Sequence, residues 1–364
     1  MDFQLTIILL SLLSLSPVAL SARVQEREVD FERWLSWNAH HYNMKRTTES
    51  LMAKSGNNGS SLDMILRNAE MEKERIVVSQ DGSGNFTTIS EAIASIPKHN
   101  KRRVEIEIKP GLYREKIVIN KTRDFITLVG DPLNPPTITG NDSITREKKT
   151  YDTATFAVNA DYFIAINIKF ENTLPHFPGK DTQAVAFRAS GNKTAFYNCS
   201  FYGWQDTLYD HKGFHYFNNC FIQGSVDFIC GYGRTLYENC HVNSIAENVS
   251  SITAQKRNLK SLSSGFSFKN CKITGTGKVY LGRAWGNYSR VVFSYTYMDN
   301  LILPEGWSPW NWPTINIYYG EYKCSGPGAN RSGRVPWARM LTAEEATPFA
   351  GTYFVDGDTW LTNH

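Results

Sequence analysis

Three absences narrow the reading of this 364-residue chain. After residue 22 no segment is apolar enough to cross a membrane, which removes multi-span membrane proteins from consideration. No Cys-x-x-Cys pair occurs, and no histidine cluster accompanies the six cysteines, so the spacing of a zinc site is missing. Residues 23–75 hold too little apolar residue to build a core, so that stretch reads as a short, partly helical extension rather than a domain. Global disorder is excluded as well, because 41% of the residues are hydrophobic and only 20% are charged.

What is present points to a secretory route. Residues 3–18 form an apolar run with Pro17 near its end, and Ala19-Leu20-Ser21-Ala22 offers small residues for cleavage. Residues 1–22 therefore read as a signal peptide, although the usual basic start is missing and Asp2 is acidic. Nine Asn-x-Ser/Thr sequons follow, among them Asn85, Asn120, Asn141, Asn192, Asn248 and Asn287. Another, at Asn198, falls inside a repeat and is expected to be buried. The cysteines suit an oxidising compartment. Cys199–Cys220 and Cys240–Cys271 could pair, Cys220–Cys240 is an alternative, and Cys230 and Cys324 have no evident partner. The formal net charge of +4 favours a polyanionic partner, and outside the cell that means acidic polysaccharide rather than nucleic acid.

The repeat is aromatic-x-Asn-Cys. Its copies are Phe196-Tyr197-Asn198-Cys199, Phe217-Asn218-Asn219-Cys220, Tyr237-Glu238-Asn239-Cys240 and Phe268-Lys269-Asn270-Cys271, with a degenerate Phe170-Glu171-Asn172-Thr173 before them. The two central steps are 21 and 20 residues. Strand-like repeats of this length predict a β-solenoid whose equivalent residues stack about one strand spacing apart, ~4.8 Å. A sandwich or barrel would reverse the order of neighbouring features.

Asp206 and Asp227 share the 21-residue interval, and each follows a glycine by three residues. The solenoid would stack their carboxylates side by side. Two such groups cannot both ionise easily, which yields an acid beside a base or nucleophile. The plainer alternative is that both aspartates only cap turns at coil corners. Gln205 beside Asp206 and the apolar Val226, Phe228 and Ile229 around Asp227 argue for chemistry.

Short strands are expected over residues 76–78, 104–108, 116–119, 125–129, 155–158, 162–170 and 184–187, continuing to about Tyr318. An amphipathic helix over 89–96 would cap the open end of the solenoid. A last helix within 338–347 carries Thr342 as N-cap with Glu345 completing a capping box. An aromatic tail, 349–360, should pack back on the solenoid.

Five segments, in order, carry a family resemblance: Gly111-Leu112-Tyr113-Arg114-Glu115, Gln183-Ala184-Val185-Ala186, Gln205-Asp206-Thr207-Leu208-Tyr209, Gly224-Ser225-Val226-Asp227-Phe228-Ile229 and Leu281-Gly282-Arg283-Ala284-Trp285. Together they resemble the plant pectinesterases (pectin methylesterases), over about residues 76–360. The resemblance implies an all-β, right-handed parallel β-helix with a capping helix and a C-terminal helical tail, residues 76–364 being the catalytic domain. It implies hydrolysis of galacturonate methyl esters in cell-wall pectin, releasing methanol, without a metal or other cofactor. Asp227 would be the nucleophile and Asp206 the general acid, then base. Gln183 and Gln205 would bind the oxyanion, Arg283 would hold and orient Asp227, and Trp285 would pack against the sugar. Thr150 matches a substrate-contacting threonine loosely. Trp204, Tyr113 and Phe228 are candidates for the groove or for the core. A monomer is expected, with pectin as its partner and a separate proteinaceous inhibitor as a second one; no nucleic acid or membrane is expected.

The chain departs from the family pattern in three places. The long inhibitor-like pro-region is absent. Ala284 replaces a frequent proline. Cys230-Gly231-Tyr232-Gly233 replaces Phe-Gly-Asn-Gly, which could loosen packing or offer a reactive thiol. Other readings are a different pectin-acting β-helix enzyme or a catalytically silent wall-binding protein. The first lacks its residues, since His211, His215 and His241 show no matched carboxylate. The second is disfavoured because all the candidate site residues are intact.

Overall fold

The computed structural model describes residues 62–176 and 182–362. The signal-peptide expectation and most of the N-terminal extension lie outside them. The chain winds as a parallel β-helix with three faces. The first is an eleven-stranded sheet running from Glu74–Val78 to Arg339–Met340. Leu112–Arg114 to Phe221–Gly224 build the second face, and Ile117–Ile119 to Ile229–Gly231 the third. The long strands His241–Gln255 and Lys272–Ala284 run from the second face into the third, with a register irregularity at the bend. Every strand pair is parallel, so equivalent residues of successive coils stack as the repeat predicts.

The repeat motif is a corner device. Asn198, Asn219, Asn239 and Asn270 turn the chain from the first face to the second at φ of 51°, 54°, 57° and 53°. Asparagine is enriched in this left-handed region, which most side chains avoid. The aromatic residue two places earlier points inward. Phe196, Phe217, Tyr237, Phe268 and Phe293 form a stacked ladder with ring centroids 4.4, 4.8, 4.5 and 4.4 Å apart. The corner side chain itself points out. Asn198 is exposed, contrary to expectation, and donates to Asn167 Oδ1 at 2.8 Å.

The cysteines also correct the sequence reading. All six are free thiols. Cys199, Cys220, Cys240 and Cys271 are buried in a ladder, and each thiol donates to the carbonyl two residues before it at 3.4–3.5 Å. Parallel stacking explains why: neighbouring side chains run side by side at ~4.8 Å, whereas a disulfide draws its Cβ atoms to ~3.8 Å.

The first end of the coil and the outside of the first face are covered. Helix α1, Met64–Met71, buries Leu66 and Ala69, and the tail adds Phe349, Phe354 and Trp360 against Ile164, Tyr216 and Leu236. Helix α2, Ile89–Ser95, closes the first coil with Ile89, Ala92 and Ile93. Its first amides donate to the Glu115 carboxylate at 2.9 and 2.8 Å, giving that glutamate a structural role. Helix α3, Ala343–Ala346, is shorter than expected, but its Thr342–Glu345 capping box is formed. The expected strand at 162–170 is two strands, Ile164–Ile166 and Lys169–Asn172, broken by the corner at Asn167.

Unfolded in guanidinium without reductant, the protein should expose six titratable thiols. Its unfolding midpoint should be the same with and without dithiothreitol. A thiol count near two, or a midpoint lowered by reductant, would mean that the ladder is crosslinked.

Candidate active site

Asp206 and Asp227 occupy the corner between the second and third faces, at φ of 60° and 49°. Gln183 pairs with Gln205, and Gln205 with Val226, across adjacent coils. The Asp206 amide donates to Val226 O at 3.0 Å, which sets the two aspartates at neighbouring positions ~4.8 Å apart. The sequence posed turn-capping and chemistry as rivals. In the structure both residues turn the chain and both are buried, at 9% and 5% exposed. Such burial is unusual for a corner carboxylate.

Arg283 makes the burial of Asp227 tolerable. Its Nε donates to Oδ1 at 2.7 Å and its Nη2 to Oδ2 at 2.5 Å, a bidentate fork across 56 residues of sequence. At these two rows the intervening coil presents only Ser251 and Ala254, both small. Burial pushes the Asp227 carboxyl above its ordinary value of 3.8, and the guanidinium pulls against that shift. Arg283 in turn lies under the Trp310 ring, 3.9 Å from its centroid.

The two glutamines sit on consecutive coils at the same corner. Thr182 N donates to Gln205 Oε1 at 3.1 Å, which turns the amide N–H groups of Gln205 the other way. Gln183 carries a buried amide oxygen without a hydrogen-bond partner. An unmet group of this kind costs ~1–3 kcal/mol and is characteristic of sites that a ligand completes.

The outward row of the third face forms the floor: Arg188, Tyr209, Cys230, Ala254, Arg283 and Ser308, in register. Two residues further along each coil stand His211, Tyr232, Lys256, Trp285 and Trp310, the opposite wall. Trp285 is half-buried, with the Lys256 ammonium 4.0 Å from its ring centroid. Trp310 and Trp312 are 39% and 42% exposed. Neither was singled out from the sequence, although three tryptophans in Trp307-Ser308-Pro309-Trp310-Asn311-Trp312 were a usable signal.

Other expectations divide. Tyr113 and Phe228 are core residues, 1% and 0% exposed, and do not line the groove. Trp204 stacks on His176 at 4.1 Å. Thr150 opens the short turn Thr150–Asp152, and its carbonyl accepts from the amide and hydroxyl of Thr153, the residue that ends the turn. Cys230 neither loosens the floor nor offers a reactive thiol. It is 1% exposed among Ala157, Val185, Tyr209 and Ala254, and burial pushes its thiol well above the ordinary range. Gly231 after it takes a φ of 124°, and a Cβ there would meet Asp210 O at 2.0 Å. His215 does have a carboxylate partner, contrary to expectation: Asp210 lies 2.5 Å from Nδ1. Both residues are fully buried, with Tyr237 and Gly191 O satisfying the rest, so the pair faces the core rather than the groove.

Comparison with known proteins identifies the family and agrees with the fold. Residues 75–358 match the family model described as Pectinesterase. The chain belongs to the pectinesterase family. Among similar sequences, Pectinesterase QRT1 of Arabidopsis thaliana is 43% identical over 305 residues, 81% of this chain and 80% of that protein. Among solved structures, the pectin methylesterase from carrot matches with a TM-score of 0.74 and 35% identity, covering 79% of this chain and 94% of that one. A pectin methylesterase in complex with a hexasaccharide matches with a TM-score of 0.67 and 26% identity, over 79% and 98% of the two chains. The protein is thus an enzyme of this family on a parallel β-helix. Among the described residues no helix is long and apolar enough to cross a membrane.

Replacing Arg283 by methionine keeps the stem under Trp310 and removes the fork. The Asp227 carboxyl should then titrate higher still, because burial is left unopposed. A carboxyl-carbon NMR titration of both proteins reads this directly. An unchanged Asp227 titration would show that the fork does not control its charge.

Proposed function

We propose that this chain hydrolyses the C6 methyl esters of galacturonate in pectin, with Asp227 as nucleophile and Asp206 as acid and base. The observation that carries the reading is the stacked aspartate pair, with one member forked by Arg283 and two glutamine amides at the same corner. The hexasaccharide bound by a related pectin methylesterase supports an extended sugar ligand in the groove.

In this mechanism an Asp227 oxygen attacks the ester carbonyl carbon, and the carbonyl electrons move onto oxygen. The Gln183 and Gln205 amides, neutral and already oriented, receive that oxyanion without drawing Asp227 away. The intermediate collapses, the bond to methoxide breaks, and Asp206 supplies the proton that makes methanol. An anhydride joins Asp227 to the sugar acid. Asp206, now a carboxylate, takes a proton from water, which attacks that carbonyl and returns free Asp227. The methylene stem and guanidinium of Arg283 keep the nucleophile aligned through both halves. The apolar run at the start of the chain and its sequons support action outside the cell, on the wall.

Methanol release from highly methylated pectin tests the reading. Asp227→Asn is a clean variant, because asparagine also accepts a positive φ, so the corner should survive. Methanol release should vanish in it while the thermal unfolding temperature stays within a few degrees. Gln205→Ala should lower kcat about 10²–10³-fold. Since Asp227 must be ionised to attack, kcat/KM should fall as pH drops through a pKa above 3.8. Full activity in Asp227→Asn, or an acid limb below that value, would refute the assignment.

A further inference from the structure

The fold treats the Asn-x-Ser/Thr sequons unequally. Asn58 lies outside the described residues. At Asn198 the amide nitrogen, the atom that a glycan would take, already donates to Asn167 Oδ1 at 2.8 Å. The side-chain oxygens of Asn85, Asn192, Asn287 and Asn330 accept from Val77 N, Phe214 N, Asn316 Nδ2 and Ser332 N at 2.7, 3.0, 3.2 and 3.0 Å, which commits each amide to a local contact. Asn120, Asn141 and Asn248 remain. All three are exposed, and among the described residues their side chains make no hydrogen bond.

Of these three, Asn248 stands nearest to the aspartates in the winding. It occupies the bend of the long strand His241–Gln255, where pairing with Lys272–Ala284 loses register between Ile245 and Val249. Ala246, Glu247 and Asn248 lie opposite Gly277 alone, so the chain bulges outward. Glu247 and Asn248 are exposed, and Val249 is 64% exposed. Directly after the bend the strand lies against the coil of Asp227. Ser250 Oγ donates to Ser225 O at 2.6 Å, and Ser251 O accepts from the Asp227 amide at 2.8 Å. The Glu247 carboxylate comes within 3.8 Å of His176 Nε2, and the His176 ring stacks on Trp204, two residues before Asp206. The bend is therefore the rim of the aspartate corner on its second-face side.

We propose that Asn248 carries an N-linked glycan, and that this glycan forms the outer rim of the groove on the second-face side. The inference rests on the secretory and esterase readings and adds a modification site to them. The sugar chain comes from a lipid-linked diphosphate donor, before the chain has finished folding. Asn248 Nδ2 bonds to the anomeric carbon and gives up one proton to a base. The bond from that carbon to the diphosphate oxygen breaks, and its electron pair leaves on the lipid diphosphate. The folded bend keeps the product without losing a hydrogen bond. A branched sugar chain at this point covers Val249 and adds bulk beside the groove. It restricts the directions from which a long polymer can approach, whereas a short oligomer needs less room.

Peptide mass spectrometry of the protein secreted from a eukaryotic host reads the occupancy of Asn248. A glycan should be found there, and Asn248→Gln should lower the mass of the whole protein by that one glycan. Methanol release then reads its placement. The ratio of kcat/KM, methylated polymer over short methylated oligogalacturonide, should rise about threefold in Asn248→Gln, as fits a lifted restriction on productive approach. The kcat/KM of the short substrate should not move. Trimming the wild-type glycans under native conditions should reproduce the rise without a substitution, and should leave the ratio of Asn248→Gln as it was. A secreted protein bare at Asn248 would overturn the inference. So would an occupied Asn248 with an unchanged ratio, because the glycan would then stand clear of the groove. If wild type releases methanol from neither substrate, the esterase reading itself fails, which the occupancy measurement keeps separate.

Discussion

Register is the constraint on which everything else depends. In a parallel coil one turn advances by one strand spacing, ~4.8 Å, and no side chain changes face unless a residue is inserted. That single rule stacks the aromatic ladder of Phe196, Phe217, Tyr237, Phe268 and Phe293. It also places Gln183, Gln205, Asp206 and Asp227 at one corner. The core and the site are the inward and outward readings of the same winding. A shift of register in the coil of Asp227 would cost both ring stacking and catalytic alignment.

A coil of this kind has no natural place for a buried charge, and Asp210 and Asp227 show two ways of keeping one. In the core, Asp210 is held by His215 and Tyr237 with both oxygens satisfied, so it is inert. At the corner, Asp227 has a single forked partner that is itself one-third exposed, at 32%. The difference matters chemically. Asp210 is fully enclosed, whereas the Asp227 pair with Arg283 stays partly open, which suits the role proposed for it.

The sequence revealed what the winding repeats. The Asn-Cys interval disclosed the solenoid, and the same 21-residue step disclosed the aspartate pair, because a register rule is written in spacing. It was silent where contacts cross coils at variable loop lengths. Nothing in the interval between Asp227 and Arg283 announces their fork; the resemblance supplied it. Lys256 and Trp310 escaped notice because each is one residue on a wall built from successive coils. The disulfide expectation failed for a related reason. Adjacent coils bring cysteines close in space, but parallel side chains meet edge to edge and each thiol finds a carbonyl instead.

The same backbone device has two outcomes, and the contrast explains why a corner can become an active site. Asn198 and Asp227 both turn the chain at a positive φ near 50°. Asn198 stands in solvent and bonds to its neighbour on the preceding coil. Asp227 is 5% exposed and forked by Arg283, so its carboxylate is largely withheld from water. What separates the two residues is therefore not their backbone but what lies over each side chain, and that difference supports the role proposed for Asp227. A solenoid can in this way acquire chemistry from loops and wall residues alone, while the ladder inside stays unchanged.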